Sequence, residues 1–597
     1  MTKGYDNKCC DADAGDYSKT YNSVIYETTL AYLRSIDKKN PPTPKEIESE
    51  LIAAVNDAIA LENMCAPSMP IRNADGKIIK DRNGNPKTIP LRAPWKNIDR
   101  LLPQQLVEIV LFFHNVIRID TAETNTESEE DLLAVYCESG ENEGTYDINQ
   151  STLYRIVQAY DYQLEKAKFE NIYFTLQSLA PRRTRTHNRD LIPVNNGVFN
   201  YKTKQLLPFS SDYVFLAKSH VDYNPNATLL TIHNNEDGTD WDIDSWMSEL
   251  SDDPEIVDLL WQMLGAIIRP FVRWNRSIWL YSTTGNNGKG TLCELMRNLC
   301  GAGTHTSISL ADFGKDFALQ SLLHSNAIIV DENDVGRYLD SLSALKAVVT
   351  NDIVQVNRKF KDAISFRFWG FMVQCINDLP RIRDKSDSFY RRQILVPMDK
   401  CFTGAERRYI KDDYMSRPEV LEYVLKKVLH TDFYELCTPK RCRDLLGTYK
   451  ELNDPVREFI DEFKERFAWD LVPWDFMYDL YKAWYMNNNP CGKPEGKINF
   501  KRQVQTILLE PNFSSYWYIS DNAVRTADKM TGAEPLIYQY NLISWKNPTY
   551  NGNDINKIST PKNLLQRYRG MLRRHCADDA DDTDTDVNDE SVEIISG

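Results

Sequence analysis

The sequence is short of several things, and each shortage removes a class of protein. Nowhere in its 597 residues does an uninterrupted apolar run approach the ~18 residues of a membrane span, and the opening MTKGYDNKCCDADAGDY lacks the apolar core of a signal peptide. Both absences predict a cytoplasmic protein with no membrane partner. Histidine is scarce, with 8 residues, and the 12 cysteines are dispersed, without a repeated CxxC spacing or histidine pairs beside them. The cysteines therefore read as buried or incidental free thiols, leaving Cys437, Cys442 and Cys491 as the only candidate zinc set. Positive charge is short too, since the net charge is −15. That does not exclude nucleic acid, because Asp578 to Glu593 alone holds nine carboxylates and no base, and binding depends on local basic surface.

What is present is an ordinary globular composition, 26% charged and 42% hydrophobic, in a chain long enough for several domains. Its organising stretch runs from Ser277 to Thr291, SIWLYSTTGNNGKGT, an apolar run that breaks into glycines and a lysine. Leu292, Leu295, Met296 and Leu299 follow at helical spacing, so the unit reads strand, glycine-rich loop, helix. A loop entering a helix N-terminus presents several backbone N–H groups, and Gly285 and Gly288 let a triphosphate approach them. Lys289 supplies the charge. The pattern departs from G-x-x-x-x-G-K-S/T at two places: Thr283 stands for the first glycine, and Gly290 stands for the metal-binding hydroxyl, with Thr291 one residue later. Either Thr291 reaches the metal or water bridges to it.

Four further segments follow. Ala327-Ile328-Ile329-Val330 is an apolar strand ending in Asp331 and Glu332, suited to holding Mg²⁺ and polarising an attacking water. Asn357 to Asp362 reads as the tip of a hairpin in which Arg358, Lys359 and Lys361 surround Phe360, a combination that suits a phosphate and a base or sugar. Gly370 to Ile376 is a strand ending at Asn377, whose amide can orient water, and Arg391-Arg392 precedes the apolar run Gln393 to Val396.

Outside this region the sequence predicts helices near Val24 to Leu33 and from Thr43-Pro44-Lys45-Glu46, a capping box. A turn-rich basic hairpin follows around Asn73 to Gly84. Residues 100–190 read as mainly helical, and Arg182, Arg183, Arg185, His187 and Arg189 as a solvated basic loop.

Taken in order, TTGNNGKGT, AIIVDEN, VQVNRKFKD, VQCINDLP and FYRRQILVPM resemble the superfamily 3 helicases, the AAA+ ring motors of small viruses, phages and plasmids. Phe360 falls where that family usually has a histidine. LIPVNNGVFN and the segment from Asp454 to Phe500 resemble the flanking domains of poxvirus-type and satellite-phage-type primase-helicases.

The resemblance implies an α/β fold: an AAA+ P-loop motor over 241–405, preceded by an accessory region (1–100) and an α+β domain (101–240). A helical linker (406–450), a winged-helix DNA-binding domain (451–575) and a disordered acidic tail (576–597) follow. It implies ATP and Mg²⁺, held by Gly285, Asn286, Asn287, Gly288, Lys289, Gly290 and Thr291 with Thr291 and Asp331 at the metal. Glu332 becomes the water-polarising carboxylate, Asn377 the sensor, and Arg392, or Arg391, the arginine finger given to a neighbouring subunit.

DNA contacts fall to Arg358, Lys359, Phe360 and Lys361 in the ring channel, and to Lys497, Lys501 and Arg502 on the duplex. The implied protein is a replicative helicase and initiator of a mobile element in a bacterial host cell. It acts as a ring, usually a hexamer, moving 3′ to 5′ on single- and double-stranded origin DNA, with host replication proteins as possible partners. Two alternatives remain: a primase-helicase, although the N-terminal part shows no D-x-D-type triad, and a scaffold that ATP merely assembles.

Overall fold

Five strands of largely continuous apolar character meet in one parallel sheet: Ser277–Tyr281 (β1), His305–Thr306 (β2), Ala327–Val330 (β3), Phe371–Ile376 (β6) and Gln393–Pro397 (β7). Between β3 and β6 the chain makes the antiparallel pair Ile353–Arg358 (β4) and Lys361–Arg367 (β5). The order across the sheet is β2-β3-β6-β1-β7, so the strand before the glycine loop lies between two strands from much later in the chain. Such strands are buried on both faces, which is why they read as uninterrupted apolar runs. Ile278, Leu280, Ile329, Val373 and Val396 have no exposure, and each such side chain contributes about 1.5–3 kcal/mol by leaving water.

The computed structural model describes residues 19–123, 131–333, 342–359, 361–380, 382, 387–404, 406–488, 493–520 and 522–574. Phe360, Cys491 and the acidic tail lie outside these residues. Two compact units emerge, 1–383 with 391–443, and 384–390 with 444–597.

In the first unit the helix Lys289–Cys300 (α1) packs Leu292, Leu295, Met296 and Leu299 onto the sheet, as the spacing predicts. Residues 406–443, expected as the greater part of a linker, belong to the same core. The helix Pro418–His430 buries Val420, Leu421, Val424, Leu425, Val428 and Leu429, a one-sided apolar stripe, in the hydrophobic cluster that also holds the parallel sheet. Residue 100 is likewise no boundary. Ile25, Leu51, Val55 and Ile59 of the helices Tyr21–Ser35 and Pro44–Met64 share one core with Leu106, Val110, Val157 and Leu176. Thr43 caps the second of these helices in the predicted capping box.

The mainly helical reading of 100–190 missed a four-stranded sheet. Val116–Asp120 and Leu132–Tyr136 are its central strands, flanked by Tyr146–Asp147 and Arg182–Thr184. Strands of two to five residues are too short to carry a periodicity that distinguishes strand from helix. The basic stretch 68–90 forms an exposed hairpin arm, as expected. Among the described residues no helix is long and apolar enough to cross a membrane.

The turn from β5 into β6 depends on Gly370. A Cβ there would stand 2.3 Å from the Asn326 carbonyl oxygen and 2.4 Å from the Phe368 ring. Gly370→Ala is expected to destabilise the first unit by about 1–3 kcal/mol. Thermal unfolding checks this, and an unchanged midpoint would contradict the close approach.

In the second unit the elements run helix Pro455–Phe463, strand Leu471–Pro473, helices Trp474–Asn488 and Lys497–Ile507, then strands Trp517–Ile519 and Gly570–Arg573. The last strand pairs antiparallel with both earlier ones. Trp469 and Trp517 are buried in a separate aromatic-rich core.

Candidate functional site

The glycine loop joins β1 to α1 at the carboxyl edge of the parallel sheet, where ligands of such sheets bind. Two residues give it shape. Gly288 ends the loop at φ 83°, and a Cβ on it would stand 2.6 Å from Leu250, so this position favours glycine on both counts. Asn286 also has positive φ, 52°, and is clamped from outside: its amide donates to Glu406 at 2.6 Å, and its carbonyl accepts the Phe402 N–H at 2.7 Å. The Asn287 amide donates to the Thr284 carbonyl at 2.5 Å, while Gly285 has open space where a side chain would be.

Lys289 is the buried cation of this loop, 6% exposed. Its Nζ donates to Asn377 Oδ1 at 2.7 Å, to the Ile376 carbonyl at 3.1 Å and to the Ser282 carbonyl at 3.4 Å. Burial pushes its pKa down, against a smaller upward influence from Cys375 and Asp331. The lysine and the asparagine read separately from the sequence are thus hydrogen-bonded to each other.

Asp331 and Glu332 follow the end of β3, Asp331 part-buried and Glu332 exposed. The Gly290 departure has a local explanation. A Cβ at 290 would lie 3.5 Å from Asp331 Oδ1 and 3.5 Å from Lys411 Nζ, so a carboxylate and an ammonium flank the place left by the missing hydroxyl. Asp331 is thus a part-exposed oxygen donor, of the kind Mg²⁺ takes, with Lys411 and Arg297 as cations beside it. Lys411 was not singled out from the sequence, because it lies in the stretch read as a linker. It also lines an open cavity of about 610 Å³ beside the loop, with Trp246, Gly288, Thr291, Phe402 and Arg407. Among the described residues no hydrogen bond joins Thr291 to Asp331.

Arg391 and Arg392 sit elsewhere. They precede β7, whose Gln393 pairs with Ser277 at the start of β1, whereas the glycine loop follows the end of β1. Arg391 is exposed and Arg392 part-buried. Neither is placed to serve its own chain's loop.

The expected basic hairpin is formed by β4 and β5, with a register shift between Val356 and Arg358. Arg358 Nε donates to the Asp362 carbonyl at 2.9 Å, bracing the tip, and the Lys359 N–H donates to Gln320 at 3.3 Å. Lys361 has its pKa lowered by burial and by neighbouring Arg358. An open hollow of about 580 Å³ beside the tip is lined by Arg358, Lys361 and Phe317. Phe317 is half-exposed and held at φ 64°, a left-handed conformation rare for an aromatic residue. No motif pointed to it.

The base of the hairpin is fixed by a buried network. Glu123 Oε1 accepts from Arg185 Nη2 at 2.8 Å and from Trp369 Nε1 at 2.8 Å, and Glu123 Oε2 lies 3.2 Å from Arg367 Nε. Arg185 also donates to the Arg367 carbonyl at 2.6 Å, and Thr121 Oγ1 to the Ser365 carbonyl at 2.7 Å. Arg185, expected in a solvated loop, is therefore a buried structural cation, its pKa lowered by burial. The segment 182–189 departs from expectation because its partner carboxylate is more than fifty residues away.

In the second unit the helix Lys497–Ile507 carries the predicted duplex contacts. Lys497 is turned to Asp475 at 2.5 Å, which raises its pKa, and Lys501 lies over the Trp474 ring at 5.2 Å. Arg502 is exposed, and so is Ile498, at 87%. An apolar side chain this open on a cationic helix face is a feature the sequence reading passed over.

Residues 451–531 match a family described as Poxvirus D5 protein-like, and residues 280–392 match a family of unknown function, DUF5906. Among curated proteins, none matches the chain. Among solved structures the chain is similar to an A form apo structure of the NrS-1 C-terminal region, at 12% identity and TM-score 0.38 over 72% of this chain and 98% of that one. An apo structure of the NrS-1 C-terminal region, residues 305–718, is similar at 13% identity and TM-score 0.38, over 72% of this chain and 97% of that one. A further A form apo structure of the same region gives 12% identity and TM-score 0.39 over 79% of this chain and 100% of that one.

Proposed function

We propose that this chain is an ATP-dependent DNA helicase and replication initiator of a mobile element, built on a superfamily 3 AAA+ motor. The observation that carries the reading is the convergence of Lys289, Asp331 and Asn377, which follow β1, β3 and β6, at one edge of a parallel sheet, with a basic hairpin inserted between β3 and β6.

In this reading the loop amides from Gly285 to Thr291 take the phosphates of ATP, and Lys289 leaves Asn377 for the γ-phosphate. The freed Asn377 amide orients a water, and Glu332 draws its proton as the oxygen adds to the γ-phosphorus and the bond to the ADP oxygen breaks. Mg²⁺, held by Asp331 and by Thr291 directly or through water, would neutralise charge on the β- and γ-phosphates. Trp246 and Phe402 wall the cavity next to the loop and offer apolar surface to the nucleoside.

Arg392, with Arg391 as its neighbour, would enter the site of an adjoining subunit. Their position before β7, away from their own loop, supports a ring of self-copies, a hexamer by resemblance. The hairpin with Arg358, Lys359, Phe360 and Lys361 would then grip a single strand in the channel. The order helix, strand, helix, helix, strand, strand in the second unit supports a winged-helix reader of duplex DNA, with Arg502, Lys501 and Lys497 on its exposed helix. The primer-synthesis alternative gains no support from the N-terminal sheet, where Arg182 pairs with Asp120 at 2.9 Å and with Asp131 at 2.6 Å.

The test is ATP hydrolysis with and without single-stranded DNA, beside unwinding of a forked duplex. Glu332→Gln is expected to keep nucleotide binding while lowering turnover by about a hundredfold or more and stopping unwinding. Unwinding that survives in Glu332→Gln, or a wild type that binds ATP without DNA-linked turnover, would shift the reading to the ATP-assembled scaffold.

A further inference from the structure

Directly beneath the phosphate loop the sheet buries a pair of thiols. Cys293, one turn into α1, and Cys375, in β6 two residues before Asn377, are 0% and 1% exposed, and their Sγ atoms stand 3.4 Å apart. The Asp331 carboxylate completes a cluster whose three ligand atoms all lie within 4.8 Å of one another, the one such group among the described residues. The set Cys437, Cys442 and Cys491 gains nothing comparable, since Cys437 Sγ faces the Glu255 carbonyl and Cys491 is not described.

Two sulfurs and one carboxylate suit a borderline-soft ion and not Mg²⁺, which takes six oxygens. Two sulfurs bound to one tetrahedral zinc at about 2.3 Å each stand about 3.8 Å apart, so the pair need open by only a few tenths of an ångström. Charge permits burial as well. Two neutral thiols release two protons to solvent and take up one divalent cation, leaving the net charge of the pair at zero.

Burial and the thiol–thiol hydrogen bond hold Cys293 protonated, so the metal itself must drive that release. Among the described residues the cations beside the cluster are Lys289, Arg297, whose Nη2 lies 3.9 Å from Asp331 Oδ2, and Lys411, which faces Asp331 across Gly290. A metal carrying two thiolates and Asp331 is net anionic, and all three cations favour it. Asp331 also provides entry, because its side chain is 37% exposed.

We propose that Cys293, Cys375 and Asp331 form a binding site for Zn²⁺ or a similar thiophilic divalent ion, with a water as fourth ligand. Filling it draws Asp331 away from the nucleotide and ties α1 to β6, which stops ATP turnover. The inhibitory half rests on the ATPase reading; the binding half stands without it.

The experiment titrates the reduced, chelator-stripped full chain with Cd²⁺ and follows the ultraviolet thiolate-to-metal charge-transfer band. Wild type is expected to show a saturable band with one equivalent that Zn²⁺ displaces and that is missing in Cys293→Ala and Cys375→Ala. Asp331→Asn, at an accessible strand end, keeps the core intact and is expected to weaken binding about tenfold or more, since even outer partners of metal ligands are worth that much. In parallel, micromolar Zn²⁺ is expected to stop Mg²⁺-ATP turnover in wild type and to spare Cys375→Ala.

A Cd²⁺ band of equal size in wild type and both cysteine variants, or one untouched by Asp331→Asn, overturns the site. A site that fills while turnover continues overturns the inhibition. A protein with no turnover even without Zn²⁺ counts against the ATPase reading alone, because the Cd²⁺ band is read independently.

Discussion

Lys289→Ala is expected to abolish ATP turnover, by about a thousandfold or more, and with it DNA unwinding, while leaving the fold intact. The size of the effect follows from where the ammonium sits. It is the buried cation of the glycine loop, held between the ends of β1 and β6 by Asn377, Ile376 and Ser282, and among the described residues no other cationic side chain makes these contacts. Lys411, the other ammonium nearby, flanks Gly290 beside Asp331 instead.

The fold survives for a reason that can be checked separately. Burial lowers the Lys289 pKa, so the folded chain binds this proton less well than the unfolded chain does. Stability contributed through Lys289 therefore rises with pH as the solution passes from the folded pKa towards the unfolded one. Below that window the wild type carries a desolvated charge that Lys289→Ala lacks, and removing it offsets the lost hydrogen bonds. The measurement is turnover and thermal unfolding of both proteins. A variant that retains more than a tenth of wild-type turnover would remove Lys289 from the chemistry, and one that unfolds many degrees early would mean its role is structural.

Glu123→Ala is expected to destabilise the first unit by about 3–5 kcal/mol. Glu123 meets Arg185, Arg367 and Trp369 together, and Arg185 is only 5% exposed. Deleting the carboxylate strands a buried guanidinium whose ionised form burial already disfavours. The loss falls at the base of β4 and β5, so DNA-stimulated turnover should drop further than turnover without DNA. Glu123→Gln, which keeps an acceptor for Trp369 but not the charge, is expected to fall between. Calorimetry together with the DNA dependence of turnover decides it, and unchanged stability in Glu123→Ala would show that the network contributes nothing.

Glu123 also marks the limit of what the sequence discloses. Local chemistry was legible: Gly288 ends a loop before a helix, Asp331 ends an apolar strand, Asn377 ends another, and all three stand where the motifs placed them. The hairpin was legible for the same reason, because two short strands and a polar tip are contiguous in sequence.

What escaped were residues whose meaning comes from distant partners. Glu123 acquires its role from Arg367 and Trp369 more than two hundred residues on. Lys411 acquires its place only because the helix after it, Pro418–His430, buries its apolar stripe in the core of the first unit, a packing partner that the stretch read as a linker does not show by itself. Lys497, plausible as a phosphate contact by charge alone, is turned to Asp475 by a helix packing no local pattern predicts. Cys293 and Cys375 come from a helix and a strand with no shared spacing, and the sheet order brings their sulfurs together.

That same sheet order sets a timetable for synthesis. β1 finds its neighbours only in β6 and β7, and until those emerge Ile278, Trp279 and Leu280 belong to a strand with both edges open. The wait covers roughly a hundred residues, about 5–20 s at ordinary elongation rates. A nascent chain that has already displayed its glycine loop therefore holds neither the Asn377 partner for Lys289 nor the strand behind Arg392. The ribosome releases this chain with the surroundings of its glycine loop among the last parts of the parallel sheet to close, and the unpaired β1 is where a stalled or truncated product would first aggregate.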